Sequence, residues 1–72
     1  MDNLSPKMEK RYNMIVSNLR KAKSEKDTDR IYSNHIVLLP KKVKNIICDR
    51  LINIGLAEKS DDNIYLLYDD SL

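Results

Sequence analysis

The only glycine in the chain, Gly55, stands where helical periodicity stops and strand-like residues begin, and that junction limits what residues 40–68 can become. Val43, Ile46, Ile47, Leu51 and Ile54 recur at intervals of three and four, which sets them on one face of a helix. Lys41, Lys42, Lys44, Asn45 and Asp49 then look outward. Pro40 is tolerated in the first turn, where its missing N–H has no helical partner to lose, and Gly55 takes the left-handed conformation that closes many helices. The helix is therefore expected over 41–54. Beyond it, residues 56–59 and 64–68 flank the cluster Ser60-Asp61-Asp62-Asn63. Asp and Asn accept the local hydrogen bonding and positive φ of tight turns, so a β-hairpin is expected.

The N-terminal half is less sharply signalled. Residues 1–4 read as a frayed end. Ser5 is a good N-cap and Pro6 suits the first helical position. Met8, Tyr12, Ile15, Val16 and Leu19 form one apolar stripe on a helix expected to end near Lys23. Residues 24–30 contain no apolar side chain and mix both charges, which reads as a solvated connecting loop. Residues 31–39 are ambiguous between a buried strand and one or two helical turns capped by Ser33 or Asn34.

A chain of 72 residues makes one domain, and at that size only about 60% of the unfolded surface is buried, so dimerisation would strengthen the fold. An apolar content of 42% with few prolines and glycines argues against a disordered tail. One cysteine, Cys48, excludes an internal disulfide framework and fits a reducing, cytoplasmic compartment. Together with the single histidine, His35, it does not make up a tetrahedral zinc site, so no metal or other cofactor is expected. No apolar run reaches the roughly eighteen residues of a membrane span. The formal charge of +2 hides an asymmetry: residues 1–48 hold eleven Lys/Arg against five Asp/Glu, and residues 49–72 hold two against six. A basic half suits phosphate contact; an acidic half, including the end 69–72, suits a basic protein partner.

The run Arg50-Leu51-Ile52-Asn53-Ile54-Gly55-Leu56-Ala57-Glu58-Lys59-Ser60-Asp61-Asp62-Asn63-Ile64-Tyr65-Leu66 resembles the end of the third helix and the wing of the winged helix-turn-helix superfamily. The resemblance implies an α+β domain of three helices, the second short, with a C-terminal hairpin wing. It also implies a short first strand at Ile31 and Tyr32 and an abbreviated second helix over 35–39. Helix 41–54 would enter the major groove of double-stranded DNA, with Lys41, Lys42, Lys44 and Asn45 at the contact. Asparagine makes bidentate bonds to adenine, and lysine reaches guanine or the backbone. The same lysines on an ordinary solvated face are the plainer alternative. The wing tip, with Asp61 and Asp62, departs from the basic tip of wings that enter the minor groove.

Other residues point less far. Lys7, Lys10, Arg11, Arg20, Lys21 and Lys23 on the first helix supply solubility or phosphate-backbone contacts. Cys48 is expected to be a small buried hydrophobe. Tyr12, Tyr32, Tyr65 and Tyr68 fall at core-facing or hairpin positions, the last two suited to a dimer or partner surface. A single glycine precludes a phosphate-cradling Gly-rich loop, and no nucleophile-base set has recognisable context, so an enzyme is not expected. Two function classes follow: a DNA-binding transcriptional regulator acting as a dimer, or a small protein-interaction module working through its acidic hairpin and the Tyr65/Tyr68 surface.

Overall fold

The computed structural model describes residues 3–69. Three α-helices precede a two-stranded antiparallel hairpin, which makes the architecture α+β: α1 Pro6–Lys21, α2 Glu25–Ile31, α3 Lys41–Asn53, β1 Ala57–Ser60 and β2 Asn63–Leu66. A π-helical turn, Tyr32–Ile36, continues α2. Residues 1–2 of the expected frayed end and 70–72 of the acidic end lie outside the described residues. Leu4 belongs to no frayed end; it packs against the core.

The ends of α1 follow its sequence signals. Ser5 Oγ accepts from the Met8 N–H at 3.2 Å, and Pro6 occupies the first turn. The helix stops at Lys21, two residues before the expected Lys23, because Ala22 is extended, with ψ 136°, and its side chain turns into the core.

The largest correction concerns residues 24–30, expected as a loop: Ser24 is the N-cap of α2 and residues 25–30 lie in that helix. Ser24 Oγ caps the Asp27 N–H at 3.3 Å, and Asp27 Oδ2 accepts from the Lys23 N–H at 2.9 Å. This is a capping box displaced by one residue. The inward face needs no apolar side chain before Ile31, because Thr28 is buried with its hydroxyl donating to the Glu25 carbonyl at 2.8 Å. Periodicity was blind to a helix whose buried position is a threonine.

Ile31 and Tyr32 form no strand: Ile31 ends α2, and Tyr32 opens the π turn, its carbonyl accepting from the Val37 N–H at 2.9 Å. The expected helix over 35–39 is also displaced, since helical structure ends at Ile36. The buried-strand alternative fails too, because Leu38 is 92% exposed while Ile36 is fully buried.

Helix α3 starts at Lys41 with Pro40 at the N-cap, one position outside the first turn, and ends at Asn53 rather than residue 54. The ending is a Schellman motif: the Leu56 N–H donates to the Leu51 carbonyl at 2.8 Å and the Gly55 N–H to the Ile52 carbonyl at 3.1 Å. Gly55 sits at φ +82°, as that motif needs. Ile47 and Leu51 are fully buried, while Ile54, expected on the same face, is exposed beyond the helix end.

In the hairpin, Ala57 pairs with Leu66, Glu58 with Tyr65, Lys59 with Ile64 and Ser60 with Asn63. Asp61 makes the turn at φ +54°, a conformation Asp tolerates better than most residues. Ala57 buries against α3, and the Leu67 N–H to Leu56 carbonyl bond of 3.0 Å extends the pairing backwards.

The core joins Ile15 and Leu19 of α1, Ile31 and Ile36 of the second helical segment, Ile47, Cys48 and Leu51 of α3, and Ala57. Leu51→Ala is expected to cost about 2–5 kcal/mol, a large share of a small domain's stability. Ser24→Ala should cost about 1 kcal/mol through the lost cap. Urea titration measures both, and an unchanged midpoint for Ser24→Ala would remove the cap from the account of α2.

Candidate nucleic-acid interface

The N-terminal half of α3 carries its charge against the helix dipole. The dipole favours acidic groups in the first turn and basic groups in the last. Helix α1 has Glu9 in its first turn, offset by Lys7, with Arg20 and Lys21 in its last; α2 has Glu25 and Asp27 in its first turn beside Lys26, with Arg30 in its last beside Asp29. Helix α3 has no acidic residue in its first turn and no side-chain cap. Lys41 and Lys42 stand there instead, exposed, with Lys44 half-buried two positions later. The first helical bond is Lys44 N–H to Pro40 carbonyl, 2.8 Å, which leaves the N–H groups of residues 41–43 without helical partners. A helix start of this kind attracts phosphate.

The four candidate residues divide into two pairs. Lys44 and Asn45 open onto a groove of about 640 Å³ between α3 and the hairpin, whereas Lys41 and Lys42 lie outside it, at the helix start. Lys59 of β1 faces the same groove and was not among the candidates, because nothing local in the sequence aligns a hairpin lysine with α3. Asp49 and Asp62 also line it, so the groove has mixed charge. Both aspartates at the hairpin tip, Asp61 and Asp62, are exposed.

Arg50 links α3 to α1. Its guanidinium donates to Glu9 Oε1 at 2.8 Å and lies 5.2 Å from the centre of the Tyr12 ring. The Arg50 hydrogen bond holds the Glu9 carboxyl below the usual carboxylate range, with slight burial opposing it. Arg50 was missed as a positioning residue. Its spacing from Ile46 and Ile47, four and three residues, carried the signal, since it places Arg50 on the inward side of the helix.

Cys48 is buried beneath this surface. Burial pushes its thiol pKa up, Asp49 adds to the rise, and Lys44 opposes it. Such a thiol is a packing group rather than a sensor. Tyr12 and Tyr32 are half-buried, and Tyr65 and Tyr68 are exposed. Half-buried His35 lines a shallow depression beside Asp27 and Arg30. Among the described residues no group of three His, Cys, Asp or Glu side chains is placed to hold a metal ion. No described helix is long and apolar enough to cross a membrane.

Comparisons with protein-family models, with curated proteins and with solved structures give no match to this chain.

Two outcomes follow from this geometry. Lys41→Gln and Lys42→Gln, which relieve repulsion with the helix dipole, should each stabilise the fold by about 0.3–1 kcal/mol at low salt, with the gain shrinking as salt rises. Thermal unfolding measures it, and destabilisation would show that the lysines have a structural partner. A thiol reagent at mildly alkaline pH should leave Cys48 unmodified in the folded chain and label it on unfolding; rapid labelling of the folded state would overturn its packing role.

Proposed function

We propose that this protein is a small DNA-binding regulator of winged-helix type that presents the N-terminal half of α3 to the major groove, as a dimer whose spacing matches two half-sites. The observation that carries this reading is the set Lys41, Lys42 and Lys44 at the end of α3 where basic charge is least favourable for the helix. Charge held there against the dipole suits a polyanion that would reverse the penalty on binding. Asn45, exposed one residue beyond, is the base-reading group in this proposal, and the first-turn N–H groups add phosphate contacts. Three helices followed by a hairpin support the winged-helix type. The type departs from the common pattern in lacking the first strand and in having an acidic tip, so the wing is assigned no minor-groove contact. In this reading the chain is a binding module and not an enzyme.

A second reading, protein docking through the hairpin, is favoured by one observation: Tyr65 and Tyr68 are 52% and 40% exposed and both line the groove beside α2, Tyr65 reaching the groove toward α3 as well.

Fluorescence anisotropy with mixed-sequence duplex DNA across a salt series tests the first reading. Binding should weaken steeply with salt, and the double variant Lys42→Ala/Lys44→Ala should bind more weakly with a slope lowered by about 2. Asp61→Ala and Asp62→Ala should not weaken it. Unchanged binding in the lysine variant would remove α3 from the interface, and no binding at low salt would leave the docking reading.

A further inference from the structure

Among the described residues, the outer edge of β2 is an unpaired strand edge facing a groove. In an antiparallel ladder, alternate residue pairs exchange hydrogen bonds and those between them turn their backbone groups outward. Leu67 is bonded to Leu56, and the register then makes Glu58/Tyr65 and Ser60/Asn63 the bonded pairs. The N–H and C=O groups of Ile64 and Leu66 therefore point away from β1. The residues that could have covered this edge, Ile31 and Tyr32, are helical instead.

The two strands treat their edges differently. Strand β1 carries Glu58 and Lys59 and packs on α3. Strand β2 reads Asn63-Ile64-Tyr65-Leu66, with no charge and no proline. Exposed edges are usually blunted by one or the other. An uncharged, uncovered edge is ready to accept a strand.

The groove beside it, about 690 Å³, runs between β2 and the second helical segment. Glu25 and Asp29 form one wall and Tyr32, Tyr65 and Tyr68 line it, and among the described residues no Lys, Arg or His lines it. Neither carboxylate has an ion-pair partner among the described residues. Carboxylates and tyrosine faces together favour cationic side chains. A second copy of this chain would bring its own Glu25 and Asp29 into the same groove together with an uncharged strand, so like charges would oppose that pairing.

We propose that the β2 edge takes up an extended, basic segment of another protein as a third strand. Its main chain bonds to Ile64 and Leu66, and its Lys or Arg side chains lie against Glu25, Asp29 and the tyrosine rings. This inference rests on the protein-docking reading, and not on the DNA reading.

The test uses the whole chain, isotope-labelled for NMR, and three short synthetic peptides: one alternating Val with Lys or Arg, one with Glu at every basic position, and one basic but N-methylated at alternate residues. The basic peptide should shift and protect the Ile64 and Leu66 amides. The acidic and N-methylated peptides should bind at least about tenfold more weakly, as should the basic peptide to Glu25→Gln/Asp29→Asn, whose fold is checked by its spectrum. Equal binding of the N-methylated peptide, lost in Tyr68→Ala, would overturn the strand and leave side-chain docking standing. Protection of Ile64 and Leu66 that grows with protein concentration and needs no peptide would give the edge to a second copy and overturn the inference. No perturbation by any peptide would overturn it together with docking at this face.

Discussion

Leu51 and the turn it begins set the geometry on which the rest of the molecule depends. Its side chain is fully buried in the centre of the core, and its carbonyl accepts the Leu56 N–H that ends α3. One residue thereby fixes both the depth of α3 and the direction in which the chain leaves it. Gly55 makes the reversal at φ +82°, where a Cβ would meet no atom within 4 Å. The glycine is needed for its backbone conformation and not for space. Because Ala57 enters the core two residues later, the hairpin has little freedom to swing, and both grooves flanking it inherit their walls from this turn.

The arrangement of charge is a second constraint, and it runs against the first. A domain this small has little stability to spare, yet it keeps lysines at the unfavourable end of its central helix. The other two helices at least carry acidic residues in their first turns, Glu9 in α1 and Glu25 and Asp27 in α2. Arg50 works in the opposite sense, in the last turn of α3, where a cation is favoured, tied to Glu9 and stacked near Tyr12. The two ends of α3 thus differ physically. The C-terminal end is tied to α1 through Arg50 and Glu9, and the N-terminal end leaves Lys41 and Lys42 exposed.

How far the sequence disclosed this depended on whether each element announced itself through apolar spacing or backbone punctuation. Helix α1 had a Ser-Pro start and a stripe through Ile15 and Leu19; α3 had Pro40 and Gly55; the hairpin had Asp61-Asp62. All three lie within a few residues of where those signals put them. Helix α2 was hidden because its buried contact before Ile31 is Thr28, a polar residue satisfied by its own helix, and because the Ser24/Asp27 cap reads equally well as loop chemistry. The π turn was hidden for a related reason: an extra residue breaks the helical period, so Ile36 goes inward while Val37 and Leu38 go out. For the candidate site, the exposed lysines and Asn45 were legible from helical phase. Lys59 and the split between the helix start and the groove were not, since both depend on how the hairpin folds back over α3.

The helical course of residues 31–36 also bears on what the hairpin is for. With a strand there, β2 would be an interior strand and the sheet would close against the helices. With helix there instead, β2 keeps an open edge, and Tyr32 is positioned to line both the groove toward α2 and the groove toward α3. The hairpin therefore stands between two faces of different character: a groove of mixed charge with Lys44, Lys59, Asp49 and Asp62 on one side, and a cleft of carboxylates and tyrosines on the other. The cleft beside α2 has no basic lining residue among those described, so a polyanion is repelled there. The division of charge along the chain, basic before residue 49 and acidic after it, is only part of this separation, because Glu25 and Asp29 come from the basic half and reach the acidic face through the fold.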